Sequence, residues 1–397
     1  MRDGNPDLVT VVGIGAGGFD DLSRTQVRAL TEARVILGSR RQLDLLPSSV
    51  AATRVEWPSP LVPALPGLFE EHAGPGVCVL ASGDPMFHGI GATLVRVLGA
   101  SRVRVLPHPS SVSLAAARLG WPLASVEVVS LVTQPVDALR RSLNPGRKIL
   151  VLSRDASTPA AVAALLSSAG FSSASLTVLS QLGGRFERIT SDISDADPLN
   201  VVAIDCGAGP SSSLAPGLPD SSYVSDGQLT KREVRAVTMS VLAPVPGALL
   251  WDVGAGSGSI GIEWMRSHPS CRAIAVESHD SRAATIETNA AALGVPGLQV
   301  VCGSAPGALE GLPTPDTIFI GGGLTRDGVL EACLAALRPG GRLVANAVTV
   351  ESEAFLAAAY AKHGGEMTRV AINRASPVGG FTGWRAMMPV TIWSVTR

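Results

Sequence analysis

Glycines recur in two tight groups, each at the end of an apolar run: Gly13, Gly15, Gly17 and Gly18 after LVTVV, and Gly254, Gly256 and Gly258 after LLWDV. A strand that runs into such a turn and then opens a helix offers backbone N–H groups and a helix N-terminus to a ligand. Residues without a Cβ let that backbone come close. The second group carries acids in useful places: Asp252 stands ahead of it, and Glu277 ends the next strand-like run, where a carboxylate can accept two hydrogen bonds from a ribose diol. The pair suits either a dinucleotide or S-adenosylmethionine, and the GxGxG spacing behind an acid leans towards the methyl donor. Ser304 and Ala305 follow the next run, where an adenine can rest against backbone, and Asp316 opens DTIFIGGG.

The first group lacks a matching acid. Its companion is SGDPMFHGIG, in which Asp84-Pro85 sets a turn, Gly83, Gly89 and Gly91 admit close backbone contact, and His88 is a candidate for touching substrate. The stretch PHPSSVSLAAARLG adds serines at a loop-to-helix junction, and His108 reads as a turn residue between prolines. No strong catalytic pair is visible, so no catalytic residue is assigned. The histidines have no metal-ligand spacing, and no metal site is expected. The five cysteines are scattered without a CxxC and read as buried free thiols. Trp251 reads as core packing.

These groups need rigid elements behind them. Strand-like runs at 9–14, 77–81, 103–106, 149–152, 176–179 and 201–204 alternate with helical patterns, and a second series follows at 249–253, 272–276, 298–301, 317–320, 342–347 and 388–395. That alternation is the mark of βα units and parallel sheets. One helix is punctuated by Thr158 as its cap, Pro159 and Gly170. Another, at LTKREVRAVTMSVL, is expected to start with a capping box of Thr230 and Glu233 and to bury Val234, Val237 and Val241. Between them, Gly, Pro, Ser and Asp crowd a stretch that reads as a linker unable to bury a core. The expected layout is an α/β chain with a domain at 1–206, a linker at 207–225 and a second domain at 226–397.

Composition narrows the role. Of 397 residues 46% are hydrophobic but only 4% aromatic, so the cores must be Ala, Val and Leu. With 32 basic and 33 acidic residues the chain is near neutral, which argues against a nucleic-acid partner. No run is long enough to span a membrane, and MRDGNPD lacks a secretion signal, so a cytoplasmic setting is expected.

Two family resemblances rest on the same motifs. LTKREVRA, WDVGAGSGSIGIE, FIGGG and NAVTVESE make residues 226–397 resemble the decarboxylating methyltransferases of corrin biosynthesis, which have a class I Rossmann-like fold. SGDPMF with its following histidine, and HPSSVSLAAARLG, make residues 7–206 resemble the class III tetrapyrrole methyltransferases, specifically the corrin carbon-5 branch. That family usually shows His-Gly-Arg after VVSL, where this chain has Val132, Thr133 and Gln134. The class III fold has two α/β lobes that hold S-adenosylmethionine in a cleft.

Together the resemblances imply two S-adenosylmethionine sites. They also imply methylation of a precorrin macrocycle at carbons 5 and 15, with loss of the ring C acetate carboxyl, and a homo-oligomer. The cofactor residues so implied are Gly13, Gly15, Gly17, Gly83, Asp84 and Pro85 in the first domain. In the second they are Asp252, Gly254, Gly256, Gly258, Glu277, Ser304 and Ala305. The substrate's carboxylates call for cations, for which Lys231 and Arg235, with Arg232, Arg374 and Arg385, are candidates; Asn346, at the end of an apolar run, is placed to face the cofactor methyl or the ring. RNA or protein remains the alternative methyl acceptor, and a nicotinamide cofactor the alternative for the second glycine loop.

Overall fold

Strand β1 (Val9–Ile14), the run that leads into the first glycines, is buried along almost its whole length. A strand covered on both faces belongs inside a parallel sheet. It lies there with β2 (Val35–Gly38), β3 (Thr53–Glu56), β4 (Val77–Ser82) and β5 (Val103–Leu106), in the order β3-β2-β4-β1-β5 with every pair parallel. Ile14 pairs with Ser82, so the loops after β1 and β4 leave the sheet side by side. The computed structural model describes residues 7–397; the stretch read for a secretion signal lies almost wholly outside them.

A second sheet follows, from β6 (Val126–Ser130), β7 (Lys148–Leu152), β8 (Ser175–Ser180), β9 (Arg188–Thr190) and β10 (Asn200–Asp205), in the order β6-β7-β10-β8-β9. Only β6 and β7 are parallel. The helix Thr158–Ser168 packs here, but its cap is Ser157 and not Thr158. The Thr158 hydroxyl instead accepts from the N–H of Arg154, 3.1 Å away, and tightens the turn before the helix.

The second series builds one seven-stranded sheet: β11 (Leu249–Val253), β12 (Arg272–Glu277), β13 (Gln299–Cys302), β14 (Thr317–Ile320), β15 (Arg342–Ala347), β16 (Glu366–Val370) and β19 (Val390–Thr396). Its order is β13-β12-β11-β14-β15-β19-β16, with β19 alone running against the rest. The chain steps outward from β11 to β13 and then crosses back to β14. The carboxyl ends of β11 and β14 therefore flank a topological switch point, where open α/β sheets bind ligands. A separate hairpin, β17 (Asn373–Val378) and β18 (Phe381–Ala386), leaves Phe381 and Trp384 largely exposed.

Contacts divide the chain into two units. One runs to Thr133 and resumes over Asn144–Pro210; the other takes Gln134–Leu143 and Ser211–Arg397. The stretch read as a linker is a correction to the sequence reading. Leu218 and Tyr223 are buried in the core of the second unit, beside Trp264 and Met239. Few apolar residues are present there, but these two suffice because buried hydrogen bonds hold the backbone around them. The capping box at Thr230 and Glu233 does not form either. The helix Arg232–Leu242 starts after Lys231 with no side-chain cap, and Glu233 pairs with Arg374.

Candidate functional sites

Each unit gathers its glycines at the carboxyl edge of a parallel sheet. In the first unit, the ends of all five strands β1–β5 open onto a cavity of about 920 Å³, closed from the other side by loops of the second sheet. Gly15, Gly83, Asp84 and His88 stand in its wall. Gly83 has φ +57°, and a Cβ there would come within 3.2 Å of Ser110 Cα. The Asp84 carboxylate accepts from the N–H of Met86 at 2.9 Å, fixing the turn. His88 also holds a positive φ of 54°, and its ring meets Phe87 edge-on.

Gly13, Gly17 and Pro85 are not in the wall. A Cβ on Gly13 would overlap the carbonyl of Gly83, so this glycine lets the two loops press backbone to backbone. One on Gly17 would overlap the carboxylate of Asp21. Pro85 is buried, its carbonyl packed against Gly89 and Gly91. These three shape the loops without facing the cavity. Residues missed in the sequence also line it, among them Arg41, Trp57 and Arg154. One signal was legible for Arg41: Ser39 and Gln42 form a capping box directly after the short apolar run VILG.

In the second unit a cleft of about 170 Å³ lies at the switch point, walled by Gly254, Gly256, Glu277, Ser304, Ala305 and the glycines after β14. Gly254 has φ +69°, and a Cβ would sit 2.6 Å from Gly322, so the two loops meet through glycine alone. Glu277 is buried; its Oε2 accepts from the N–H of Gly256 at 2.8 Å and its Oε1 from that of His279 at 3.1 Å. Gln228, Arg282 and Arg326 also line the cleft, and no spacing in the sequence pointed to them.

Asp252 and Gly258 lie behind this wall. Asp252 Oδ2 accepts from the N–H of Gly261 at 2.8 Å, holding the helix Ser259–Ser267 to the strand, while Oδ1 is buried without a partner. Burial raises its pKa to about 7; the Gly261 hydrogen bond works against that rise, and the charge of Glu277 adds to it. Gly258 has φ +78° and packs against Ile286.

Of the expected substrate contacts on this side, none reaches the cleft wall. Arg235 is fully buried: its Nε donates to Glu263 at 2.6 Å, its other nitrogens bond Asp220 and the carbonyls of Thr230 and Leu218, and it stacks on Tyr223. A cation so consumed cannot meet a substrate carboxylate. Lys231 is the helix cap residue. Asn346 donates to Thr238 Oγ1 at 2.9 Å, while its Oδ1 is buried and unpaired. Arg374 is paired with Glu233 and Asp220. Trp251 is core, its Nε1 donating to the carbonyl of Pro313. Four cysteines are buried, but Cys302 is exposed beside Asp280.

Two glycine-built cradles at sheet edges, with a carboxylate ending the strand beside the second, define a chain made of two methyltransferase domains. Residues 8–197 match the family described as tetrapyrrole (corrin/porphyrin) methylases, and 221–397 the precorrin methyltransferase domain. The chain is 48% identical to a precorrin-6Y C(5,15)-methyltransferase (decarboxylating) of Sinorhizobium sp, over 98% of this chain and 96% of that one. It is 49% identical to the protein of that name from Mycobacterium tuberculosis (strain CDC 1551 / Oshkosh), over 98% and 100%. The crystal structure of the C-terminal domain of precorrin-6Y C5,15-methyltransferase from Rhodobacter capsulatus is 43% identical over 47% of this chain and all of that one, with a TM-score of 0.45. The chain belongs to the precorrin-6Y C(5,15)-methyltransferase (decarboxylating) family. It is a methyltransferase of cobalamin biosynthesis that uses S-adenosylmethionine and also decarboxylates.

Proposed function

We propose that the two clefts are two S-adenosylmethionine sites, and that the chain methylates precorrin-6Y at carbon 5 in the first unit and at carbon 15 in the second. Loss of carbon dioxide from the ring C acetate accompanies the second step. The observation that carries this reading is the separate glycine cradle in each unit, where loops that meet through glycine wall a cavity of about 920 Å³ in the first and a cleft of about 170 Å³ in the second. A relative 34% identical over 45% of this chain and 94% of its own length, from Pyrobaculum calidifontis, is named as a probable cobalt-precorrin-6B C(15)-methyltransferase (decarboxylating). That name supports carbon-15 chemistry carried by about half of a chain such as this one.

When bound, the cofactor supplies an electrophilic methyl group on a sulfonium. The protein's part is alignment and the exclusion of water. Glu277 holds the Gly256 turn and presents a carboxylate edge for a ribose diol, and Ser304 and Ala305 offer backbone for the adenine. Gly83 and Gly15 line the first cradle and let its loops close on Ser110 and His108. The acids in both walls hold loops: Asp84 accepts from Met86, Asp197 from Gln181 and Leu199, and Glu277 from Gly256 and His279. They are placed as braces. Decarboxylation then relies on the macrocycle, whose conjugated system takes up the electron pair as carbon dioxide leaves. The expected homo-oligomer and cytoplasmic setting belong to the same reading; no helix among the described residues is long and apolar enough to cross a membrane.

Calorimetric titration of the full chain with S-adenosylhomocysteine tests the two-site claim. Two binding events per chain are expected. One event, lost in a Gly254→Ala variant, would restrict the cofactor to the second unit and refute the reading of the first.

A further inference from the structure

The cavity of the first unit is chemically divided along the sheet order β3-β2-β4-β1-β5. At the β1 and β5 end its wall is mostly backbone and small side chains, Gly15, Ala16, Ser110 and Ser111, and the loop after β4 adds Gly83, Asp84, Phe87 and His88. At the β2 and β3 end it presents Arg41 and Trp57, and Arg154 reaches the wall from the loop after β7. A cradle rich in backbone suits the cofactor; a wall that holds both a guanidinium and an indole suits a large ring that carries carboxylates.

Arg41 is half-buried and already oriented. Its Nη2 donates to Ser82 Oγ at 2.8 Å, and Gln42 Nε2 donates to the same hydroxyl at 3.0 Å, so a neighbour on the same short helix locks the acceptor. Burial lowers its pKa and the charge of Asp197 raises it, so the group is partly stripped of water and faces an acid that is itself occupied. That acid, Asp197, accepts from Gln181 Nε2 at 3.0 and 3.1 Å and from the N–H of Leu199 at 2.7 Å. Arg154 is steadied through Nε by the carbonyl of Val132, at the position where the family's His-Gly-Arg run is missing. A half-desolvated guanidinium held by a hydroxyl keeps N–H groups for a bidentate carboxylate, the geometry that arginine favours over lysine.

Resting on the proposed carbon-5 function of this cleft, we infer that Arg41, seconded by Arg154, anchors a peripheral carboxylate of the precorrin and seats the macrocycle against Trp57. Both act on binding and orientation and take no part in methyl transfer.

The test uses the full chain with Arg41→Ala, Arg41→Lys and Arg154→Ala, assayed on precorrin-6Y with product masses resolving the two methylations. Loss of a charge-assisted contact predicts a KM for the carbon-5 step about ten- to a hundredfold higher in Arg41→Ala. A smaller rise is expected for Arg154→Ala, and an intermediate one for Arg41→Lys, which keeps the charge but not the fork. S-adenosylhomocysteine affinity at both sites and the carbon-15 step should not change. An unchanged KM, or a loss that tracks S-adenosylhomocysteine affinity because Arg41 only braces Ser82, would overturn the inference. A wild-type protein that never methylates carbon 5 would instead overturn the reading of the cleft, and this inference with it.

Discussion

Asp252 shows how a residue can sit in a glycine-loop motif without facing the cleft. It stands in the strand beneath the second glycine loop, tied to the Gly261 N–H, with one oxygen buried and unpaired. An unfolded aspartate ionises near 4, whereas here burial raises the pKa to about 7. Between those values the folded state keeps a proton that the unfolded state has lost. Stability from this group therefore falls as pH rises through that window and is level above it. Asp252→Asn cannot ionise, so the stability of wild type relative to this variant should drop by ~1.4 kcal/mol per pH unit across the window. Denaturant unfolding at a series of pH values measures it; parallel profiles would show that Asp252 ionises normally. At Gly254 the constraint is steric. Alanine there combines a left-handed φ, worth about 1–3 kcal/mol of strain, with an overlap against Gly322. Gly254→Ala should abolish binding at the second cleft while leaving the first unit folded, as calorimetry and two-dimensional NMR would show.

At the scale of elements, the decisive piece is the segment that composition made look like a linker. From Gly217 to Gln228 it is pinned to the second unit: Glu263 accepts from the N–H groups of Gly217 and Leu218 and from the Tyr223 hydroxyl, and it also pairs with Arg235. Asn289 bonds Val224 in both directions and holds the carbonyl of Ser257 within the glycine loop. Gln228 then forms part of the cleft wall. The belt and the second glycine loop thus share their fastenings. Removing one partner of the buried pair, as in Arg235→Ala or Glu263→Ala, should cost about 3–5 kcal/mol because it strands the other charge. The double variant should lose less than the sum of the two. Chymotrypsin should also cut after Tyr223 faster in each single variant; an additive double variant and unchanged cleavage would refute the clamp.

What could be read in advance follows from the same elements. Strands β1, β5, β11 and β14 were legible to the residue because each is a largely apolar run ended by glycine or proline, and β15 because it follows the turn Pro339-Gly340-Gly341. The strands β3, β9, β16, β17 and β18 were not, since their side chains are mostly exposed and carry no alternation of apolar residues. The glycine cradles were visible for the same reason as the strands before them. The role of Arg235 was not, because a motif shows that a cation is present and not whether a buried Glu263 28 residues later consumes it.

At the scale of the whole molecule, the chain joins two units of unlike design: two sheets around a large cavity, and one sheet with a cleft at its switch point. The proposed function requires that both act on one precorrin. The most direct test is the mass of the product after incubating the full chain with precorrin-6Y and excess S-adenosylmethionine. Two methyl gains of about 14 Da and one carbon dioxide loss of about 44 Da predict a product lighter by about 16 Da. A product lighter by about 30 Da would show that only the carbon-15 half works, one heavier by about 14 Da that only the carbon-5 half does, and either would contradict the claim.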